Sequence, residues 1–183
     1  MSQFTLCVFC GSSEGTDPAF AQAAEHLGKL IAAHSIDLVY GGGNAGVMGH
    51  CARAALAEKG KVTGIIPKKI HALVEHADLT ELLVVETMHE RKAKMHDLAD
   101  AFAVLPGGIG TMEEFFEAFT WLQLGYHEKP VAILNTAGYF DGLISFLRHM
   151  AGSGFISTGM LAQLIVEKEP DQLLKKIAEK ENF

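Results

Sequence analysis

Short apolar, β-branched runs alternate along the chain with longer stretches of helical period, and this alternation limits the possible fold more than any other feature. Residues 5–10 predict a first buried strand, and Asp17 and Pro18 predict the N-cap and first turn of the helix that follows. The apolar residues of the strands are continuous rather than alternating, which predicts that both faces of the sheet are covered. The pattern therefore predicts an α/β fold: a doubly wound parallel sheet in three layers, with right-handed crossovers.

The same alternation continues to the end of the chain. Further strands are predicted at residues 37–40, 62–66, 82–85, 101–105, 131–134 and 164–167. Further helices are predicted at residues 47–59, 89–98, 111–124, 140–150 and from 171 onward, and residues 68–78 are less regular. The chain shows no linker or internal repeat, so residues 1–183 are predicted to form a single domain.

Composition excludes several classes of protein. With 183 residues, of which 49% are apolar, the chain can bury a substantial core and is not disordered. The formal charge of -7 and the absence of a basic cluster argue against a nucleic-acid partner. Three cysteines, an odd number, indicate a reducing cytoplasm, and neither a secretory leader nor a membrane-spanning segment is predicted.

Three glycine-rich segments follow predicted strands, at residues 10–13 (CGSS), 41–49 (GGGNAGVMG) and 106–111 (PGGIGT). The carboxyl ends of parallel strands lie at one edge of a sheet, which is where ligands of such folds bind. Glycine lets a ligand approach the main chain closely, and the N–H groups of the following helix attract anions. Each segment alone could simply form a tight turn. Together they predict a phosphate site, and without a Walker motif or dinucleotide fingerprint they favour a mononucleotide over NAD.

Charged residues follow two of the same strands. Arg91, in the segment MHERK, can bind phosphate or carboxylate, and Lys92 should point about 100 degrees away around the helix. Glu113 and Glu114 are predicted in the first turn of the helix after PGGIGT. Exposed helical charges or carboxylates at a helix N-terminus need no function. A carboxylate beside a phosphate site would nevertheless suit chemistry through a cationic sugar, whereas Arg91 cannot act as a general acid because it does not lose its proton.

Redox and metal chemistry are not favoured. Cys7 and Cys10 are three apart on a predicted strand and should point to opposite faces, unlike a redox pair at the start of a helix. Nine histidines include no HExxH motif, and no metal site is predicted. A pyridoxal phosphate enzyme such as a lysine decarboxylase is disfavoured as well, because a chain of 183 residues offers little room for that cofactor.

These segments match the motifs of one family. PGGIGTMEE fits the pattern PGGxGTxxE, MHERK fits MHxRK, and CGSS and GGGNAGVMG fit the first two loops. The sequence therefore resembles the Lonely guy (LOG) family of cytokinin riboside 5'-monophosphate phosphoribohydrolases. The resemblance implies a Rossmann-like fold and a homodimer with sites near the interface. It also implies hydrolysis, without a cofactor, of the N-glycosidic bond of an adenosine-type nucleoside 5'-monophosphate to free base and ribose 5-phosphate.

The resemblance assigns roles to individual positions. The arginine of MHxRK is Arg91 and the last glutamate of PGGxGTxxE is Glu114, and both are expected to be catalytic. The residues expected to bind substrate or its phosphate are Gly11, Ser12, Ser13, Gly42, Gly43, Asn44, Met88, Lys92, Gly107, Gly108, Gly110, Thr111 and Glu113.

One position departs from the family pattern, and two alternatives stay open. Leu73 stands where many relatives carry a substrate-contacting glutamate, and Glu75 lies two residues further on. Contacts to the ribose or base can therefore differ here.

The sequence does not separate an N6-modified base from plain AMP. A nucleotide sensor or carrier without hydrolase activity is the competing interpretation, although a binder has no use for a carboxylate at the sugar.

Overall fold

A computed structural model describes residues 3–73 and 78–181. Seven strands form one fully parallel sheet in the order β4-β3-β2-β1-β5-β6-β7. The strands are β1 (Thr5–Phe9), β2 (Asp37–Tyr40), β3 (Val62–Pro67), β4 (Glu81–Val85), β5 (Ala101–Val104), β6 (Val131–Leu134) and β7 (Ile165–Glu167). The predicted Rossmann-like α/β fold is confirmed.

Helices cover both faces of the sheet. They are α1 (Pro18–Ala33), α2 (Gly46–Ala57), α3 (Lys68–His71), α4 (Met88–Leu98), α5 (Ile109–Leu124), α6 (Asp141–Gly152), α7 (Thr158–Leu161) and α8 (Pro170–Glu181). Buried side chains of α1, α2 and α8 form one core with the sheet, and those of α4, α5, α6 and α7 form a second core on the opposite face. The result is the expected three-layer arrangement.

The central strand β1 contributes to both cores. Leu6 and Val8 belong to the core under α1 and α2, whereas Cys7 and Phe9 belong to the core under α4 and α5. Successive side chains of a strand point to opposite faces, which explains this division. Cys10 lies in the first core, opposite Cys7, and all three cysteines of the chain are free thiols. The two residues of the CxxC segment therefore lie in different cores, as predicted.

The chain reverses its direction of travel across the sheet between β4 and β5. From β1 it proceeds outward through β2 and β3 to β4, and β5 then returns to the other side of β1. The reversal separates the crossover connections of β1 and β5 and opens a crevice at the carboxyl ends of these strands. The three glycine-rich segments follow β1, β2 and β5, so all three lie at this edge.

Several predicted boundaries differ from the structure. The clearest correction concerns α5, which begins at Ile109 rather than residue 111, because Gly108 takes an extended conformation and serves as its N-cap. Glu113 and Glu114 consequently lie in the second turn, and the first turn of α5 contains no acidic residue. Two short helices, α3 and α7, were not predicted, since four-residue helices have no complete hydrophobic period.

Close packing of α1 on α2 depends on a glycine. A Cβ at Gly28, in the middle of α1, would lie 2.3 Å from the backbone oxygen of Cys51 and 3.0 Å from the Cβ of Ala54. Backbone at that distance cannot yield without moving one helix. Gly142 on α6 gives a matched contrast, because an added Cβ there meets nothing within 4 Å.

We expect Gly28→Ala to lower the free energy of unfolding by about 1 to 3 kcal/mol, because overpacking forces α1 away from α2. Gly142→Ala should leave the free energy unchanged or raise it by up to about 1 kcal/mol, since alanine favours helix. Urea unfolding followed by circular dichroism measures both. Equal stabilities of the two variants would contradict the close contact between α1 and α2.

Candidate functional site

The three glycine-rich loops are joined through the loop after β1. The N–H of Gly11 donates to the carbonyl of Pro106 (3.0 Å), and the carbonyl of Gly11 accepts from the N–H of Met48 (3.0 Å). A Cβ at Gly11 would come within 3.0 Å of the Cα of Gly107. The β1 loop is therefore hydrogen-bonded on one side to the β5 loop and on the other to the start of α2.

The helices after these loops differ in how their first N–H groups are used. At α2, the N–H groups of Val47 and Met48 donate to the carbonyls of Ser13 (3.3 Å) and Gly11 (3.0 Å). At α5, no side chain caps the N-terminus, and the N–H of Met112 already bonds to Gly108 within the helix (3.1 Å). Unpaired N–H groups at a helix start attract anions. The start of α5 is thus the better anion site of the two.

Gly107 allows the tight turn into α5. A Cβ there would lie 2.1 Å from Oγ1 of Thr111 and 2.6 Å from the backbone nitrogen of Gly11. Any larger residue would push the β5 loop off both neighbours. Thr111 is itself buried, directly beneath this turn. Gly107 and Thr111 therefore shape the loop from below.

Arg91 is placed by the start of α4. Oγ1 of Thr87 accepts from the N–H of Glu90 (3.1 Å), and Oε2 of Glu90 accepts from the N–H of Glu86 (2.9 Å), which resembles a capping box. The helix begins at Met88 and presents Arg91 within its first turn. Its position immediately after β4 directs this turn toward the carboxyl edge of the sheet.

The guanidinium of Arg91 is held at several points. Nε donates to the carbonyl of Ile65 (3.1 Å), and Nη1 forms an ion pair with Oε1 of Glu114 (3.0 Å) and lies 3.4 Å from Sδ of Met88. A Cβ at Gly41 would lie 2.3 Å from Nη2. The guanidinium therefore rests directly over the backbone of the second glycine loop, where a side chain would displace it.

Glu114 is a buried carboxyl group. Desolvation raises its pKa above the ordinary glutamate value; the neighbouring Arg91 lowers the pKa and Glu113 raises it, and burial outweighs the arginine. A carboxylate with a raised pKa is a stronger base than one in water. The pair with Arg91 therefore holds a basic carboxylate against a fixed positive charge.

Lys92 and Glu113 belong to a second charged group. The side chain of Lys92 is buried, and its ammonium pairs with Glu113 and with Glu117, the latter at 2.8 Å. His96 lies at the far side of Glu117, 3.7 Å away. Lys92 points away from Arg91, as the helical period predicts. These ion pairs lie between α4 and α5 beside the Arg91–Glu114 pair.

Two cavities open at the glycine loops, and Ser12 lines both. The larger, of about 500 Å³, is lined by Ser12, Gly41, Gly43, Asn44, Ala45, Met48, Ile66, Pro67, Ile70, Leu73 and Arg91. The smaller, of about 270 Å³, is lined by Gly11, Ser12, Ser13, Glu14, Gly15, Phe20, Val47, Pro106, Gly107, Gly108 and Tyr139.

Most of the predicted binding residues line one of these two cavities. The others lie outside both linings: Gly42, Met88, Lys92, Gly110, Thr111, Glu113 and the expected catalytic Glu114. Gly42 has a φ of +79° and faces β3, where its missing side chain leaves room for Ile66. Glu114 lies behind Arg91, which brings the pair to the wall of the larger cavity.

Sequence reasoning missed the apolar and aromatic parts of these walls. Ile66, Pro67 and Ile70 form an apolar side of the larger cavity together with Leu73, and Tyr139 closes the smaller one. Their position at or after the carboxyl ends of strands was the only available signal, since none carries a charge or belongs to a glycine motif. Leu73 is exposed at the cavity mouth, and Glu75 lies outside the described residues.

Within residues 3–73 and 78–181, no group of three or more histidine, cysteine, aspartate and glutamate side chains could hold a metal ion. Nor does that part of the chain contain a helix with the length and apolarity needed to cross a membrane.

A parallel sheet with glycine-rich loops at its carboxyl edge is the architecture of nucleotide-binding α/β proteins. A family model described as "Possible lysine decarboxylase" matches residues 48–177. A cytokinin riboside 5'-monophosphate phosphoribohydrolase of Rhodococcoides fascians is 47% identical over 90% of this chain and 84% of its own length. A second phosphoribohydrolase of this name, from Arabidopsis thaliana, is 43% identical over 95% of this chain and 81% of its own length. The chain belongs to this phosphoribohydrolase family.

Solved structures share the fold. A molybdenum cofactor binding protein from Rippkaea orientalis aligns with a TM-score of 0.75 and 25% identity over 98% of both chains. The molybdenum cofactor carrier protein of Chlamydomonas reinhardtii aligns with a TM-score of 0.74 and 17% identity over 100% of both chains. The second likeness concerns the fold alone.

We expect carboxyl-detected NMR titration to show Glu114 ionising above the ordinary glutamate range, because burial disfavours its charged form. Arg91→Gln should raise the pKa of Glu114 further, since the positive charge that lowers it is lost. Arg148→Gln, at an exposed position on α6, is the control and should leave the titration unchanged. A Glu114 titration unaffected by Arg91→Gln would contradict the ion pair.

Proposed function

We propose that this protein hydrolyses the N-glycosidic bond of adenosine-type nucleoside 5'-monophosphates and releases free base and ribose 5-phosphate. The observation that carries the proposal is the ion pair between Arg91 and the buried Glu114 at the wall of a cavity between the glycine loops. Relatives with 42–47% identity over most of the chain are named for this reaction on cytokinin riboside 5'-monophosphates.

The 5'-phosphate binds at the start of α5. That helix has no side-chain cap, and Gly107 and Gly108 line the small cavity at its N-terminus. Backbone N–H groups and the helix dipole favour a dianion there although the chain is acidic overall. Gly110 and Thr111 belong to the same turn. Phosphate contact at this end would place the sugar toward Ser12, which lines both cavities.

Arg91 and Glu114 act at the sugar. Water attacks C1' as the C1'–N bond breaks, its hydroxyl going to C1', and the departing base takes a proton from solvent, to which Glu114 later returns the proton it has accepted. Glu114 takes a proton from the attacking water and stabilises the positive charge that develops on the ribose, for which its raised pKa is suited. Arg91 keeps its proton, holds the carboxylate in place and contacts the substrate from the cavity wall.

The base occupies the larger cavity. One side of that cavity is polar, with Ser12 and Asn44, and the other is apolar, with Ile66, Ile70 and Leu73. An adenine ring with an apolar N6 substituent fits such a lining, and plain AMP fits its polar part. A carrier without hydrolase activity is less favoured, because binding alone does not require a buried carboxylate beside the site.

We expect purified protein to release free base from AMP, from N6-isopentenyl-AMP or from both, and not from the corresponding dephosphorylated ribosides, as measured by liquid chromatography. The dependence on phosphate follows from an anion site at α5, and the ratio of the two rates measures base specificity. Binding of both monophosphates without release of base would reject the hydrolase and favour the carrier.

Two glutamate variants of α5 test the catalytic assignment in the same assay. Glu114→Gln should lower turnover by about a thousandfold or more, since the carboxylate that accepts the proton of water and its negative charge are both lost. Nucleotide affinity should be largely kept. Glu117→Gln removes a carboxylate one turn further along the helix, where it pairs with Lys92, and should reduce turnover far less. Similar losses in both variants would argue against a specific role for Glu114.

A homodimer with sites near its interface belongs to the same proposal. Ile109, Phe116 and Leu124 recur at helical spacing on α5 and are exposed by 90%, 37% and 63%. An apolar stripe of this length on one helix indicates a covered surface. Ile109 adjoins the proposed phosphate site, so a partner on this stripe would lie beside it.

A cytoplasmic location is also proposed, in keeping with three free cysteines.

Sedimentation equilibrium should therefore show a dimer that Phe116→Glu converts to monomer, because a charge would be buried at the interface. Phe146→Glu, an equivalent change of an exposed phenylalanine on α6, is the control and should remain dimeric. A monomeric wild-type protein at micromolar concentration, or a dimer that Phe116→Glu leaves intact, would contradict this surface.

A further inference from the structure

The turn after β6 is held rigidly by side-chain hydrogen bonds. Oδ1 of Asn135 accepts from the N–H of Phe140 (2.7 Å), and its Nδ2 donates to Oδ1 of Asp141 (2.7 Å). Its backbone N–H donates to the carbonyl of Glu167 at the end of β7 (2.7 Å). Asn135 itself is buried. The turn is therefore anchored both to the sheet and to the start of α6.

The same turn contains strained backbone. Ala137 has a φ of +52°, a left-handed conformation that is uncommon for residues other than glycine, and Gly138 follows with a φ of +71°. The N–H of Tyr139 donates to the carbonyl of Thr136 and closes the turn (3.0 Å). This strained and anchored backbone determines where the side chain of Tyr139 emerges.

Tyr139 reaches across to the loop after β5. Its hydroxyl donates to the carbonyl of Gly107 (2.6 Å), and its ring makes edge-to-face contacts with Phe20 (5.4 Å between centroids) and Phe140 (4.9 Å). Both Tyr139 and Gly107 line the smaller cavity. The phenol thus bonds to the proposed phosphate loop from a different part of the fold.

The hydrogen bond controls the orientation of one peptide unit. The carbonyl of Gly107 and the N–H of Gly108 belong to the same planar trans peptide and point in opposite directions. Glycine lies on both sides of this peptide, so side-chain sterics hardly restrict its rotation. The preceding peptide is already fixed by the N–H of Gly11, which bonds to Pro106. Tyr139 supplies the corresponding restraint for the Gly107–Gly108 peptide.

We infer that Tyr139 is a positioning residue that orients the N–H of Gly108 for the 5'-phosphate of the substrate. This inference rests on the proposed phosphate site and adds a residue that belongs to none of the recognised motifs. The hydroxyl acts before the substrate arrives, because it is bonded to the carbonyl in the free protein. Its loss should therefore weaken binding through the phosphate more than it slows the chemical step.

The test compares Tyr139→Phe with Tyr126→Phe, which removes the hydroxyl of an exposed tyrosine after α5. Tyr139→Phe keeps the ring contacts and should fold normally. It should raise KM for the nucleoside monophosphate about five- to tenfold, the worth of one hydrogen bond, with kcat changed less than about twofold. Tyr126→Phe should leave both constants unchanged. An unaltered KM, or a fall in kcat alone, would overturn the inference.

A second measurement is independent of hydrolysis. Relaxation dispersion of the Gly108 amide should show microsecond-to-millisecond exchange in Tyr139→Phe that is absent from wild type and Tyr126→Phe. Calorimetry should show that Tyr139→Phe binds ribose 5-phosphate about five- to tenfold more weakly than wild type does. If wild type hydrolyses no nucleotide but these differences appear, the proposed reaction fails and the role of Tyr139 stands. If wild type hydrolyses nucleotides and Tyr139→Phe shows neither difference, the role of Tyr139 fails alone.

Discussion

The ion pair between Arg91 and Glu114 places the strictest demands on the surrounding structure. A buried charge that loses its partner lowers the stability of the fold by about 3 to 5 kcal/mol. The fold must therefore hold both side chains in contact. Glu114 depends on where α5 begins, and Arg91 depends on the cap that starts α4 after β4. The guanidinium also needs the carbonyl of Ile65 and the bare backbone of Gly41. Four segments of the fold are therefore coupled through one contact.

A second set of ion pairs, formed by Lys92, joins the same two helices and differs in position from the pair of Arg91 and Glu114. Lys92 lies between Glu113 and Glu117 on the side away from the cavities, so its charge is satisfied within the protein. Arg91 has only Glu114 as an ion-pair partner among the described residues, and it lines the larger cavity. Adjacent residues in both helices thus divide into a group of ion pairs that joins α4 to α5 and a pair that lies at the wall of the larger cavity.

Local patterns predicted the fold and the glycine loops well, because continuous apolar strands and helix caps are local properties. The N-cap at Asp17 and the opposite orientation of Cys7 and Cys10 follow from the period of a helix and of a strand. The start of α5 was misplaced because the conformation of Gly108 depends on neighbouring loops rather than on its own sequence. Tyr139 could not be predicted at all, since its contact with Gly107 joins residues 32 apart in the chain.

The same fold occurs in proteins named for binding or carrying the molybdenum cofactor and in relatives named as phosphoribohydrolases, so the sheet and its loops do not determine the function. Glycine loops and an open helix N-terminus suit an anion whether or not a bond is then broken. A carrier gains nothing from a desolvated carboxylate at its site, because burial makes that charge costly and binding does not use it. A hydrolase uses the same burial, because a carboxylate with a raised pKa takes a proton from water more readily. A catalytic role for Glu114 therefore explains why the fold keeps a carboxylate whose burial is energetically unfavourable.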